Sequence, residues 1–220
     1  MRINTLRLRA MLGWLGMLLP WIVTALVGYF PDSISATYYT NASAVFMIIL
    51  GASSILLISY KGYDKADDVV LTLSGVFGLG ICLFPCWIPN GTGKVGTFNV
   101  DMLTSNTIHM ICAIAFFALL AYNSFFLFTK TAGEMTKQKR IRNVIYRICG
   151  VGMLGSYVIM LFPYFYGQAW ISETISLFFF GVSFLTKADI YPWLFCDTPY
   201  TDDDESDREG EESNGLDKIS

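Results

Sequence analysis

The chain has 220 residues, of which 54% belong to the hydrophobic class, 15% are aromatic and only 15% are charged. Soluble domains carry about a quarter charged residues, so too little charge remains here to coat a globular surface, and lipid is the consistent solvent. The net charge of −3 comes largely from one acidic stretch near the C-terminus; the remainder is modestly basic, with no pattern that points to nucleic acid.

A membrane span needs about 20 mainly apolar residues at 1.5 Å rise each. Residues 1–10 read as a short basic N-terminus carrying Arg2, Arg7 and Arg9. The apolar run 11–30 that follows exceeds the roughly 7–15 residues of a signal-peptide core. No small-x-small cleavage site comes after it, so it is expected to be an uncleaved first span. The loop Pro31–Asn41 is rich in hydroxyls and has no cation; a glycosylation-type triplet, Asn41-Ala42-Ser43, abuts the second span. Further spans are predicted at 42–60, 69–89, 107–128, 144–165 and 169–186, separated by Lys61–Asp68, Asn90–Asn106 and Thr129–Asn143. Only Gly167–Gln168 divides the last two, which predicts a tight helical hairpin. The runs are continuously apolar and do not alternate, which disfavours a β-barrel. The membrane domain is thus expected over 11–190. Residues 191–220 form a tail crowded with acids from Asp202 to Glu212; it lacks the apolar surface to offset ordering entropy and is expected to be disordered.

Lysine and arginine give the orientation. Arg2, Arg7, Arg9, Lys61, Lys65, Lys130, Lys137, Lys139, Arg140, Arg142 and Lys187 fall on one side, and Lys94 alone on the other. The fold class is therefore all-α, a six-helix transmembrane bundle with both termini inside. The expected location is the plasma (inner) membrane of a cell of bacterial type. Phe30-Pro31, Phe84-Pro85 and Phe162-Pro163 recur near the outer ends of odd-numbered helices, where proline should terminate or kink each one. Ser74 with Gly78, Gly152 with Ser156, and the patch Gly51–Ser54 mark close helix approaches.

Ionisable groups at membrane depth are costly and count as functional candidates. By these boundaries Asp32, His109 and Glu173 share one depth near the outer face. His109, the single histidine, would be the titrating group, with Glu173 or Asp32 as its carboxylate partner. Ser35, Tyr38 and Tyr39 would complete a binding pocket. The competing reading keeps all three ionisable groups hydrated at the headgroup boundary. Five cysteines are present and no pair reads as a secreted disulfide framework. Cys82 and Cys86 lie one turn apart on the third helix, as His109 and Cys112 nearly do on the fourth. Facing one another, these four would suit zinc or copper; as ordinary buried cysteines they need no metal. No nucleophile elbow, phosphate-binding glycine loop or His-Glu-x-x-His helix occurs, and no cofactor is implied.

The Phe-Pro helix end followed by Ser33-Ile34-Ser35-Ala36, together with His109 and Phe116-Phe117, resembles small bacterial multi-pass proteins of unknown function. The pattern is similar to the six-helix damage-regulated autophagy modulator type, and the resemblance implies the architecture and no activity. Intramembrane hydrolases related to alkaline ceramidases carry several histidines on seven helices, and this chain departs from that pattern. The leading expectation is a non-enzymatic membrane protein handling a lipid or small solute at an outward-facing polar pocket. The alternatives are an intramembrane enzyme using the same cluster and a scaffold acting through its acidic tail. Membrane lipids are the expected partners.

Overall fold

Large apolar side chains that a soluble protein would fold inward stand exposed along the helices. Ile48, Leu103, Ile114 and Val151 are all more than 60% exposed. Contiguous apolar surface of this kind marks contact with a partner or a membrane. In the computed structural model these residues belong to six α-helices, with residues 5–62, 64–88, 91, 93–130, 136–161 and 168–190 described. The helices are α1 (Thr5–Val27), α2 (Ser43–Ile58), α3 (Lys65–Leu83), α4 (Met102–Tyr122), α5 (Lys137–Gly155) and α6 (Ala169–Lys187). Among the described residues four helical segments are long and apolar enough to cross a membrane: Thr5–Val27, Lys65–Leu83, Met102–Leu127 and Ala169–Lys187.

Each helix packs on its neighbour in sequence, and α6 returns to α1, so the six close into an up-down ring. Small residues allow the approach. A Cβ on Gly181 of α6 would lie 2.9 Å from the Gly13 carbonyl of α1. One on Gly150 of α5 would lie 3.0 Å from the Ala121 carbonyl of α4. Ser54 packs against Gly75 and Gly78 between α2 and α3, and Gly152 against Phe179 of α6, whereas Gly51 faces open space. Buried hydroxyls tie the ring further. Ser156 and Ser176 are 2.6 Å apart across α5 and α6, and Ser124 donates to the Tyr146 carbonyl at 2.9 Å. Such interhelical bonds in lipid average about 0.6 kcal/mol each.

Several helix bounds differ from the hydropathy reading. α1 begins at Thr5 and not at 11; α3 begins at Lys65, α4 at Met102 and α5 at Lys137. Hydropathy marks the part of a helix that suits hydrocarbon, whereas its hydrogen-bond ladder runs on wherever the end is capped. The Asp64 side chain accepts from Asp67 N, and that of Thr136 from Lys139 N; caps of this kind are worth about 1 kcal/mol. The predicted fifth span, 144–165, is broken: α5 ends at Gly155 and a 3-10 turn covers Ser156–Leu161. Phe162-Pro163, the tight connection at Gly167, the acidic tail and Cys196 lie outside the described residues.

The Phe-Pro idea holds at one of its two described positions. α3 stops at Leu83 and Phe84 is extended before Pro85, because proline disfavours helix in the residue preceding it. α1, however, ends at Val27, ahead of Gly28 with φ of +83°. A left-handed glycine closes that helix, and Pro31 comes too late to act. The connection between α3 and α4 contains a small antiparallel ribbon, β1 (Lys94–Val95) with β2 (Val100–Asp101), pairing Lys94 with Asp101.

Candidate functional site

At the end of the ring away from the basic loops, the sequence-predicted residues are present but divided among three structures. Glu173 sits in the first turns of α6, half-buried. Its carboxyl oxygens accept from Ser33 Oγ at 3.0 and 3.1 Å and from the backbone N–H of Ile34. Ser33 Oγ in turn accepts from Ser35 N at 3.0 Å. Glu173 thereby latches the loop that leads into the 3-10 turn Ser35–Tyr39. Behind the latch, Glu173 and Ser35 border a cavity of about 40 Å³, otherwise lined by apolar side chains such as Phe46, Phe116 and Leu177.

His109 belongs to a second structure. Pro85 ends α3 at Leu83, and the carbonyls of the segment Phe84–Cys86 that follows lie beyond the helical ladder. Three side chains donate to them: His109 Nδ1 to Phe84 O, Ser105 Oγ to Pro85 O and Tyr39 Oη to Cys86 O, each 2.8 Å. A carbonyl only accepts, so the His109 proton is on Nδ1. His109 is therefore a cap for α3, and its Nδ1 is committed to a carbonyl and not to Glu173 or Asp32. Burial pushes the Tyr39 hydroxyl up to about 12, and burial with the nearby Glu173 carboxyl pushes the Cys86 thiol up to about 12. Both stay protonated at neutral pH. Tyr38 packs edge-on against Tyr39, with ring centroids 5.1 Å apart.

Asp32 stands in a third place, a groove of about 400 Å³ shared with Phe30, Pro31, Gln168, Trp170 and Ile171. Its backbone carbonyl accepts from Trp170 N at 2.9 Å, and Trp170 Nε1 donates to Thr24 Oγ1 at 3.0 Å. Trp21 and Phe30 pack edge-on to the Trp170 ring, an aromatic grouping of the kind that sits at a membrane–water interface. The suggested metal set of Cys82, Cys86, His109 and Cys112 does not assemble. Among the described residues no three His, Cys, Asp or Glu side chains are grouped as a metal ion requires. Cys82, Cys86, Cys112 and Cys149 are buried free thiols.

The opposite end of the bundle holds a site that the sequence did not single out. A cavity of about 270 Å³ opens among α1, α2, α3, α4 and α6, bordered by Arg9, Tyr60, Asp67, Asn123, Lys130 and Lys187. Lys130 bridges Asp64 at 2.7 Å and Asp67 at 2.8 Å. Those bonds hold the Asp64 carboxyl below its ordinary value and raise the Lys130 ammonium above its own. Arg9 and Lys187 have no carboxylate partner among the described residues. Arg9 Nε donates to Tyr60 Oη at 2.7 Å and its Nη1 to Lys187 O at 3.2 Å. Lys187 Nζ reaches only the Phe128 carbonyl, at 3.3 Å, and lies over the Phe128 and Tyr146 rings.

Asn123 is the unusual member. It opens a π-helical turn, Asn123–Leu127, at the end of α4, closed by Phe128 N donating to Asn123 O at 2.9 Å. Turns of this kind inside helices recur at functional sites. The Asn123 side chain is fully buried, yet both its amide nitrogen and its oxygen lack a hydrogen-bond partner. A buried amide left unpaired costs about 1–3 kcal/mol, so the position is not explained by packing. A lone amide inside the apolar run 107–128 was the available signal. Arg9 and Lys187 were legible only as orientation markers.

Compared with known protein families, curated proteins and solved structures, the chain matches none.

Proposed function

We propose that the chain is a six-span membrane protein with its basic end in the cytoplasm, and that it binds a small polar ligand, a lipid headgroup or a solute, in the cavity at that end without chemical change. The multi-pass character rests on four long apolar helices. The two further spans rest on the closed ring. α2, with 16 residues, extends about 24 Å, and α5 carries Lys137, Lys139, Arg140 and Arg142 in its first two turns and Arg147 near its middle, and packs between α4 and α6. The basic end is assigned inward by the lysine and arginine rule.

The observation that carries the binding role is Asn123: a fully buried amide with no hydrogen-bond partner among the described residues, bordering a polar cavity beside Arg9 and Lys187, which form no salt bridge among those residues. The outer groups offer less. Glu173 is engaged by its own loop, and the space behind it, about 40 Å³, holds little more than a water molecule.

Asn123→Cys in a chain whose native cysteines are replaced tests both orientation and access. A small charged methanethiosulfonate should modify it in inside-out vesicles and spare it in right-side-out ones. Modification only from outside would reverse the topology. No modification from either side would remove the cavity as a binding site.

A further inference from the structure

The inner cavity is rich in donors and poor in acceptors. Arg9 uses two of its N–H groups on Tyr60 and the Lys187 carbonyl, leaving the rest of its five donors unengaged. Tyr60, 3% exposed, accepts from Arg9, so its own O–H remains to be given. Lys187 Nζ makes one long bond, to Phe128 O, and Asn123 Nδ2 makes none. The one carboxylate bordering the cavity, Asp67, is bridged by Lys130. Among the described side chains bordering the cavity, Asn123 Oδ1 is the buried acceptor without a donor.

Resting on the cavity being the binding site, we propose that its ligand is a phosphate monoester bearing hydroxyl groups. Arg9, Lys187, Tyr60 and Asn123 Nδ2 donate to the phosphoryl oxygens, while Asn123 Oδ1 accepts from a ligand hydroxyl. A phosphoryl group presents several strong acceptors to cations and amides together, and bonds in which both partners are charged are the strong ones. The volume of about 270 Å³ admits a phosphate with a short polyol and excludes a larger ligand. The same chemistry has two sources, a soluble phosphorylated polyol or the headgroup of an anionic lipid in the inner leaflet.

The test uses the full chain. In neutral detergent, thermal unfolding is followed against glycerol 3-phosphate, with glycerol and sodium sulfate as controls. In nanodiscs, phosphatidylcholine alone is compared with phosphatidylcholine containing lysophosphatidic acid, a phosphate monoester that keeps one glycerol hydroxyl. A saturable rise in Tm with glycerol 3-phosphate identifies a soluble source, and one confined to lysophosphatidic acid identifies a lipid headgroup. Either is expected to weaken roughly 10- to 100-fold in Arg9→Gln and in Asn123→Leu, and to survive in Lys94→Gln at the far end. Arg9→Lys, which keeps the charge, should restore part of the affinity and guards against a folding defect in Arg9→Gln. Sulfate matching glycerol 3-phosphate, no saturable shift with either phosphate source, or shifts that Arg9→Gln and Asn123→Leu leave intact would each overturn the ligand class. Methanethiosulfonate access to Asn123→Cys from the inner face would still stand in those cases, so failure of the ligand class and failure of the binding site are separable.

Discussion

Replacing Glu173 by alanine should release the loop between α1 and α2 without dissolving the bundle. Its carboxyl accepts from Ser33 Oγ and Ile34 N, and together with Trp170 N donating to Asp32 O these bonds hold that loop to α6. Hydrogen bonds to a carboxyl oxygen contribute about 1–3 kcal/mol each. The loop is half-buried, so water recovers part of the loss, and the net effect is about 2–3 kcal/mol on local opening. At 1.4 kcal/mol per tenfold, amide exchange over 34–40 should quicken roughly 30- to 140-fold. Thr37 N and Thr40 N, bonded to Ile34 O and Thr37 O at 3.1 Å, are the reporters. Hydrogen exchange with mass spectrometry in detergent reads this, with peptides from α3 and α4 as internal references. Ser33→Ala should give a smaller change in the same peptides. Unaltered exchange over 34–40 in Glu173→Ala, with protection lost elsewhere, would show that the latch does not hold the loop.

Other consequences follow from the same geometry. His109→Ala strips the Phe84 carbonyl of its donor and should cost about 1–3 kcal/mol in denaturant unfolding. His109→Asn, which keeps a donor, should cost less; equal losses would mean that ring packing matters and the bond does not. Gly181→Ala places a methyl 2.9 Å from Gly13 O and 3.0 Å from Met17 Cβ, so the α1–α6 contact should weaken by about 1–3 kcal/mol, read as a lower Tm. The Lys130 clamp joining the loop before α3 to the end of α4 should respond to pH. Asp64 is held below its ordinary 3.8, so its contribution is complete above that value and fades as pH falls through the lowered one. For Lys130, raised above its ordinary 10.5, the contribution is complete below that value and is lost as pH rises through the raised one. Protease cleavage near residues 59–64 should be slow at pH 6 and faster at pH 3, and salt should produce part of the same effect.

The number of helices, their order and the basic end were readable in the chain because each is a local or additive property. A run such as 169–186 is apolar over most of its length, and counting Lys and Arg needs no contacts; α6 accordingly spans Ala169–Lys187. Helix ends were read less well, because Asp64 and Thr136 extend α3 and α5 through caps that hydropathy does not weigh.

Which residues meet was decided by tertiary structure alone. Ser33 and Glu173 are 140 positions apart, Arg9 and Tyr60 are 51 apart, and Arg9 and Lys187 are 178 apart. In a soluble helix the apolar stripe tells which face turns inward. In lipid both faces are apolar, and packing of small residues sets the rotation of each helix. Shared depth therefore suggested pairing His109 with a carboxylate, when the break at Pro85 had already given its Nδ1 a carbonyl to cap. For the same reason Asn123, Arg9 and Lys187 became one site only when the ring closed and brought the ends of α1, α4 and α6 together.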